Sequence, residues 1–225
     1  SVKVNGTSPT QWQNFVSIYG NDNDTLRLDG SWARDTRDSF LFTTKGMLQR
    51  IAAEIGTPIG SLQYYKLSLQ HQQFFPLSRD FTLMLNGELG YGDGLSGKPM
   101  PFFKNFYAGG TSSVRGFQSG TLGPKDPITG DALGGNKRMV GNAELFFPIP
   151  GLKDDKAFRM STFLDAGAAF GTSEDFDFGS LRYSAGVSVL WVSPLGPLKF
   201  SLAQPLVKKT GDETEVFQFS LGSVF

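Results

Sequence analysis

The sequence predicts an all-β protein: an antiparallel transmembrane β-barrel fragment of about nine strands, with one short helix in an extracellular loop. Runs of alternating apolar and polar residues extend over about ten to fourteen positions, the length that a tilted strand needs to cross a bilayer. Tight turns alternate along the chain with longer, more polar connections, as in outer-membrane barrels. Glu88, Glu144 and Asp165 lie on the polar parity of these runs, which indicates a wet or ion-paired interior.

A short amphipathic helix is predicted near the beginning of the sequence, over residues 9–19. Ser8 is a candidate N-cap, Pro9 takes the first helical position, and Gln11 completes a capping box. Gly20 and the turn-prone residues after it end the helix. The apolar residues that follow helical spacing are Trp12, Phe15, Val16 and Tyr19.

About nine strand-like segments follow the helix, each identified by period-two alternation. They occupy residues 25–36, 46–59, 62–75, 81–91, 138–147, 159–170, 181–191, 198–206 and 215–225. The sequences RDTRDS, PLSRD and SPLGPL predict tight turns, whereas GTSEDFDFGS and KKTGDETE predict longer polar loops.

The segment 181–191 illustrates the two faces of such a strand. One parity is apolar and is predicted to face lipid, whereas the other is polar and is predicted to face the interior. The outward set is Leu181, Tyr183, Val187, Val189 and Trp191, and the inward set is Arg182, Ser184 and Ser188.

A connection of about forty residues separates the segments 81–91 and 138–147, and long connections inside compact β structures are normally functional or disordered. This one contains FYAGGTSSVRGFQSGTLGP and is too rich in aromatic residues for a disordered linker. We therefore expect an ordered loop packed against the strands, in which Arg115 of the motif Val114-Arg115-Gly116-Phe117 needs a partner.

Glu144 and Asp165 follow on the polar parity of adjacent strands, where antiparallel pairing can bring both carboxylates to one interior patch. A guanidinium suits bidentate pairing with carboxylates, and the alternative is three unrelated charges in a wet lumen.

Composition excludes several classes of function. The 21 basic and 21 acidic side chains give a formal net charge of zero, so no nucleic acid partner is expected. Because cysteine is absent and His71 is the single histidine, we expect no metal site, no cofactor and no catalytic residues. GGTSSVRG lacks the ending of a phosphate-binding loop. His71 is interpreted as a surface or lumen residue.

Several separated motifs resemble the BamA family of outer-membrane protein assembly factors. FYAGGTSSVRGFQSGTLGP, with GYGDGLSGKPMPFFKNF upstream, is similar to the lumen loop of that family. Phe163, Asp165 and Gly167 fit its FxDxG strand motif, and WVSPLGPL and the terminal Phe225 fit the end of its barrel. The resemblance runs from about residue 8 to residue 225.

The resemblance implies a barrel of about sixteen strands preceded by periplasmic POTRA domains. Residues 1–225 then correspond to the C-terminal portion of the barrel domain, without the POTRA domains and the first strands. It further implies that Arg115 enters the lumen and meets Asp165 and Glu144.

The strand 215–225 would form one side of a gate in this family. Its gate residues are Phe217, Phe219, Leu221, Gly222 and Phe225. The implied function is assembly and insertion of β-barrel proteins into the outer membrane of a Gram-negative bacterium, as an integral membrane protein and without enzymatic chemistry. Implied partners are unfolded outer-membrane proteins, the lipid bilayer and, for the full-length protein, assembly-complex lipoproteins.

Three alternatives remain at this point. A two-partner secretion transporter of the same superfamily would export a passenger protein. A barrel hydrolase would need a nucleophile and a carboxylate around His71, and a soluble β-sandwich would need no membrane. The predicted fragment also has two open edges, so it would close into a small barrel or pair its edges as a homodimer.

Overall fold

The computed structural model describes residues 2–57, 59–149, 151 and 157–222. It contains one α-helix, α1 (Thr10–Tyr19), and eleven strands. The strands are β1 (Arg27–Asp35), β2 (Gly46–Gly56), β3 (Tyr64–Pro76), β4 (Thr82–Gly94), β5 (Gly116–Phe117), β6 (Lys137–Phe147), β7 (Phe158–Phe170), β8 (Arg182–Ser193), β9 (Gly196–Val207), β10 (Thr214–Glu215) and β11 (Phe217–Leu221). None of the helices in these residues reaches the length and apolarity needed to cross a membrane.

Nine strands form one antiparallel sheet in the order β1-β2-β3-β4-β6-β7-β8-β9-β11. The two-residue strands β5 and β10 pair with each other. The predicted fold class is therefore confirmed. In the described residues β1 pairs only with β2, and β11 only with β9, so both ends of the sheet are open.

The two faces of the sheet differ in polarity, as alternation requires. One face, here called the outer face, exposes large apolar side chains. They include Leu28, Trp32, Ile51, Leu69, Leu89, Leu164, Val187, Leu202, Phe217 and Phe219. The other, inner face carries buried polar residues, among them Gln72, Glu144, Ser161, Asp165, Ser184, Ser188 and Gln218. An apolar outer face and a polar inner face are typical of membrane barrels.

The alternation predicted for β8 is confirmed, with one exception. Tyr183, Val187 and Trp191 are exposed and Val189 is half-buried, whereas the side chains of the inward set are buried. Leu181 is 6 % exposed and packs with Ala168 and Phe170. It was predicted to face lipid, and this is wrong because the residue lies before the strand begins.

Three local predictions need correction. The connection between β1 and β2 spans residues 36–45 and is longer than the predicted tight turn, because Asp38 accepts hydrogen bonds from Thr44 and Lys45 and organises a loop. The last strand begins at Phe217 rather than at residue 215, because Glu215 pairs with Gly116 instead, and within the described residues it ends at Leu221. Gly222 follows the strand with φ of 80°, and Phe225 lies outside the described residues.

The helix begins one residue later than predicted, and Ser8 does not cap it. Its N-cap position is Pro9, which has no hydroxyl to offer. The backbone N–H of Thr10 donates instead to Asp126 Oδ2, at 2.9 Å, from the long loop between β4 and β6. A distant carboxylate thus replaces the local cap, and it lies at the positive end of the helix dipole. Phe15 of this helix is buried and packs in one cluster with Leu62, Tyr64 and Met100.

Candidate functional site

The loop 95–136 between β4 and β6 covers the inner face of the sheet. Its own core consists of Ala108, Val114, Phe117 and Leu122, each no more than 1 % exposed. A short turn before the motif is held by Ser113, whose hydroxyl accepts from the backbone N–H of Gly109 at 2.8 Å. The loop is therefore an ordered element, as its aromatic content predicts.

Arg115 enters the inner face from this loop and forms a bidentate ion pair with Asp165 of β7. Its Nε lies 2.7 Å from Asp165 Oδ2, and its Nη2 lies 2.8 Å from Oδ1. The backbone N–H of Arg115 also donates to Oδ2, at 3.0 Å. Arg115 is 4 % exposed and Asp165 1 % exposed, so the two charges compensate each other in a site with little water.

Glu144 of β6 is the second carboxylate of the site. Its Oε2 accepts from Arg115 Nη1 at 3.1 Å, and Lys199 Nζ of β9 lies 3.2 Å from its Oε1. The Ser161 hydroxyl of β7 donates to Oε1 at 2.5 Å. Glu144 therefore pairs with two cations, Arg115 and Lys199. Arg115 pairs with Asp165 through two of its nitrogens but contacts Glu144 through only one.

The spacing of Phe163, Asp165 and Gly167 follows from strand geometry, because alternate residues point to the same face. The guanidinium carbon of Arg115 lies 3.4 Å from the centre of the Phe163 ring, a cation–π contact. A Cβ atom on Gly167 would lie 2.9 Å from Val114 Cγ2, so only glycine leaves space for the valine of the loop motif. Phe163 and Asp165 therefore both contact Arg115, whereas Gly167 leaves room for Val114.

Gly116 and Phe117 continue the motif as β5. Gly116 has φ of 87°, and a Cβ atom there would lie 3.0 Å from the Cβ of Ala203 in β9. Both the backbone conformation and the space require glycine at this position. Phe117 is fully buried in the core of the loop.

The structure therefore brings together Arg115, Asp165 and Glu144, which sequence reasoning had placed in one site, and adds Phe163 of the strand motif to them. Sequence reasoning missed Asn142, Ser188, Lys199 and Gln218, which also contact this loop or its ion pairs. Asn142 Nδ2, for example, donates to Asp165 Oδ1 at 2.8 Å and to the Ser113 carbonyl at 2.7 Å. All four lie on the inward parity of their strands, and this pattern could have indicated them as contacts of the loop, although many other polar residues share it.

The predicted gate residues lie apart from this cluster. Phe217, Phe219 and Leu221 are exposed on the outer face of β11. The backbone N–H of Gly222 donates to the carbonyl of Pro197 at 2.9 Å and ends the strand against β9. The other side of β11 has no neighbour in the described part of the sheet.

The contacts of this site hold the loop 95–136 against the strands. No group of acidic or histidine side chains that could hold a metal ion occurs in residues 2–57, 59–149, 151 and 157–222. His71 lies on the outer parity of β3 opposite Gln49 and Gly87, whereas the buried carboxylates lie on the inner face, in β6 and β7. At the rim of the loop, backbone donors from Thr129, Ile128 and Thr10 hold the pKa of Asp126 below its ordinary value.

Comparisons with known proteins agree with this architecture. Residues 1–225 match the Omp85 superfamily domain. The outer membrane protein assembly factor BamA of Neisseria meningitidis is 42% identical over 265 aligned residues, which cover 100% of this chain and 33% of that protein. BamA of Nitratidesulfovibrio vulgaris is 32% identical over 86% of this chain and 25% of its own length.

A solved structure shows the same fold. The crystal structure of BamA from Haemophilus ducreyi lacking POTRA domains 1–3 matches with a TM-score of 0.86 and 28% identity, over 96% of this chain and 48% of that one. The present chain spans about a quarter to a third of the two curated relatives.

Proposed function

The chain belongs to the Omp85 superfamily, and from that premise we propose that it assembles and inserts β-barrel proteins into the outer membrane of a Gram-negative bacterium. In this proposal it does so as the C-terminal portion of a larger integral barrel, whose POTRA domains and first strands lie outside residues 1–225. The 42% identity to an assembly factor named BamA supports this function. No observation favours export of a dedicated passenger.

The observation that carries the proposal is the open edge of β11 beside an apolar outer face. In an apolar medium, unpaired backbone groups cost several kcal/mol each. An unfolded outer-membrane protein can satisfy these groups by adding its own strand to the edge, which is β-augmentation. The outward Phe217 and Phe219 would place the new strand at the lipid surface, where its apolar side chains are stabilised.

The docked loop supports this edge from the inside. The ion pair of Arg115 with Asp165 joins the loop to β7, and the contact of Lys199 with Glu144 joins β9 to β6. These contacts hold β9, the neighbour of the edge strand β11, to β6 and hold the loop to β7, without covalent chemistry. The proposed role therefore needs no nucleotide, no metal and no catalytic residue.

The partners follow from this role. Unfolded outer-membrane proteins are the proposed substrates, and the bilayer surrounds the outer face. Assembly-complex lipoproteins would bind the full-length protein. For residues 1–225 alone we propose a homodimer in which β11 of one copy pairs with β1 of the other, because β1 is exposed at all nine of its residues.

Site-directed crosslinking in liposomes tests the proposed function. The intact protein would carry Ser220→Cys in β11, and an unfolded outer-membrane barrel protein would carry one cysteine in its C-terminal strand. We expect disulfide-linked product during insertion. A matched control, Ala185→Cys in β8, lies in a strand paired on both sides and should give none. Equal crosslinking at both positions, or insertion without any β11 product, would contradict the proposal.

A homodimer of the isolated chain is tested with cysteines at Ser31 in β1 and Ser220 in β11. Covalent dimers are expected in detergent. Intramolecular product alone would mean that the sheet closes on itself.

A further inference from the structure

The motif loop and the edge strand meet at residues that the ion-pair cluster does not include. Gly116 and Phe117 of β5 pair antiparallel with Glu215 and Thr214 of β10. The backbone N–H of Gln118 extends this pairing by donating to the carbonyl of Glu213 at 2.9 Å. Because β10 leads directly into β11, the loop is hydrogen-bonded to the segment that begins the edge strand.

The side chain of Gln218 in β11 adds a second link. Its Oε1 accepts from the backbone N–H of Gly116 at 3.2 Å, and its Nε2 donates to the carbonyl of Phe117 at 2.8 Å. A primary amide is suited to this role because it offers a donor and an acceptor, as a peptide group does. Gln218 is 4 % exposed, whereas its neighbours Phe217 and Phe219 are 55 % and 62 % exposed on the opposite face.

Gln218 also belongs to the ladder that pairs the edge strand β11 with β9. Gln218 lies opposite Ser201 in the β9–β11 ladder, and next to that ladder Ala203 donates its backbone N–H to the carbonyl of Val216 at 2.9 Å. Ala203 also provides the surface on which Gly116 rests, at a distance that excludes any side chain. The start of the edge strand β11, the strand β9 and the motif loop therefore contact one another around Gly116, Ala203 and Gln218.

We infer that Gln218 is a positioning residue that couples docking of the motif loop to docking of the edge strand β11. Moving β11 away from β9 withdraws the Gln218 amide from the backbone N–H of Gly116 and from the carbonyl of Phe117, both of which belong to buried residues of β5. Undocking the loop removes both backbone partners of the amide, and its Nε2 keeps only the 3.0 Å contact with Glu215 Oε2. Each event lowers the cost of the other, because coupling between two sites is reciprocal.

The coupling carries a consequence for assembly, and this consequence rests on the proposed function. Arg115 precedes Gly116 directly, so a displacement of β5 also disturbs the pair with Asp165. A substrate strand that pulls on β11 would therefore loosen the loop inside the sheet. Release of a finished product would be accompanied by redocking of both elements.

Hydrogen–deuterium exchange of the intact protein in detergent, without substrate, tests the coupling. Gln218→Leu keeps an inward side chain of similar size and removes both hydrogen bonds. We expect exchange about tenfold faster in segment 108–120 and in segment 214–222, because each loses buried hydrogen bonds. Arg115→Ala should accelerate exchange in 214–222 as well. Ser220→Ala, on the same face of β11, is the matched control and should change neither segment.

Unchanged protection in segments 139–147 and 159–169 would show that the Gln218→Leu protein is folded. If that variant does not fold, Gln218→Glu keeps the acceptor, loses the donor and should accelerate both segments to a smaller extent. Faster exchange in only one segment, or in neither, overturns the inference. A parallel liposome insertion assay separates it from the proposed function: coupled exchange with unchanged insertion leaves the coupling intact and removes its role in assembly.

Discussion

The ion pair between Arg115 and Asp165 should stabilise the docked loop more than the ion pair between Arg115 and Glu144, although one guanidinium makes both. Arg115→Ala removes two of the four donors to Asp165 that the structure shows, and leaves the backbone N–H of residue 115 and Asn142. Glu144 loses one contact of 3.1 Å and keeps Lys199 and Ser161. Asp165 is therefore left with less compensation.

The magnitude follows from burial. Breaking a buried pair by removing one partner costs about 3–5 kcal/mol, and both Arg115 and Asp165 are almost inaccessible to water. We expect a coupling free energy of about 3 kcal/mol for Arg115 with Asp165 in a double-mutant cycle. Arg115 with Glu144 should give about 1–2 kcal/mol, because Lys199 continues to neutralise Glu144. Arg115→Lys should lose most of the first coupling, since an ammonium cannot form the bidentate pair.

The assay is urea-induced unfolding of the intact protein in lipid vesicles, followed by tryptophan fluorescence and by the migration of folded barrel on gels. The four proteins of each cycle are the parent, Arg115→Ala, Asp165→Ala or Glu144→Ala, and the corresponding double variant. A coupling below about 1 kcal/mol for Arg115 with Asp165, the range of solvent-exposed pairs, would refute this reasoning. So would a larger coupling for Glu144 than for Asp165.

Three further predictions concern the packing, the faces and the rim of the site. Gly167→Ala should destabilise the docked loop by about 1–3 kcal/mol in the same unfolding assay, because its new methyl group overlaps the valine of the loop motif. The control is Gly87→Ala, whose new methyl group meets nothing within 4 Å. Its free energy of unfolding should differ from that of the parent protein by less than about 0.5 kcal/mol. Cysteines at Val187 and Ser188 should report lipid and a buried polar site, respectively, and equal labelling by a water-soluble maleimide and a lipid-soluble probe would contradict the two-faced strand. The pKa of Asp126 is lowered in the folded protein, so its contribution is fully present above the ordinary aspartate pKa of about 4 and is lost as pH falls through the lower folded value. Amide exchange at the start of α1 should rise over that acidic range, and Asp126→Asn should remove the pH dependence.

Period-two alternation is sufficient to predict the sheet, because one register of each strand places apolar residues outside and polar residues inside. In β8, for example, the serines at 184 and 188 are buried and the aromatic residues at 183 and 191 are exposed. The same argument places Glu144 and Asp165 on the inner face, where an arginine from a long loop can reach them. Strand ends are less predictable, since hydrogen bonds to other segments decide them, as the pairing of Glu215 with Gly116 does.

The remaining partners in the site could not be predicted from the sequence. Lys199 and Gln218 share the inward parity with many polar residues, and alternation does not say which of them the loop reaches. The cap of α1 comes from Asp126, which is separated from Thr10 by 116 residues, and no local pattern indicates such a contact. These contacts depend on the path of the loop 95–136 across the inner face of the sheet.

That path has a consequence for the order of folding. The loop contacts an inward residue from each of β6, β7, β8, β9 and β11, namely Glu144, Asp165, Ser188, Ala203 and Gln218. The neighbouring strands of this part of the sheet are close in sequence and can pair early, whereas the loop gains its contacts only when distant segments are already in place. An arginine buried before its carboxylates are aligned would be an uncompensated charge. We therefore expect docking of the loop to be a late step that requires the correct register of these strands, so that the loop would act as a test of completed folding.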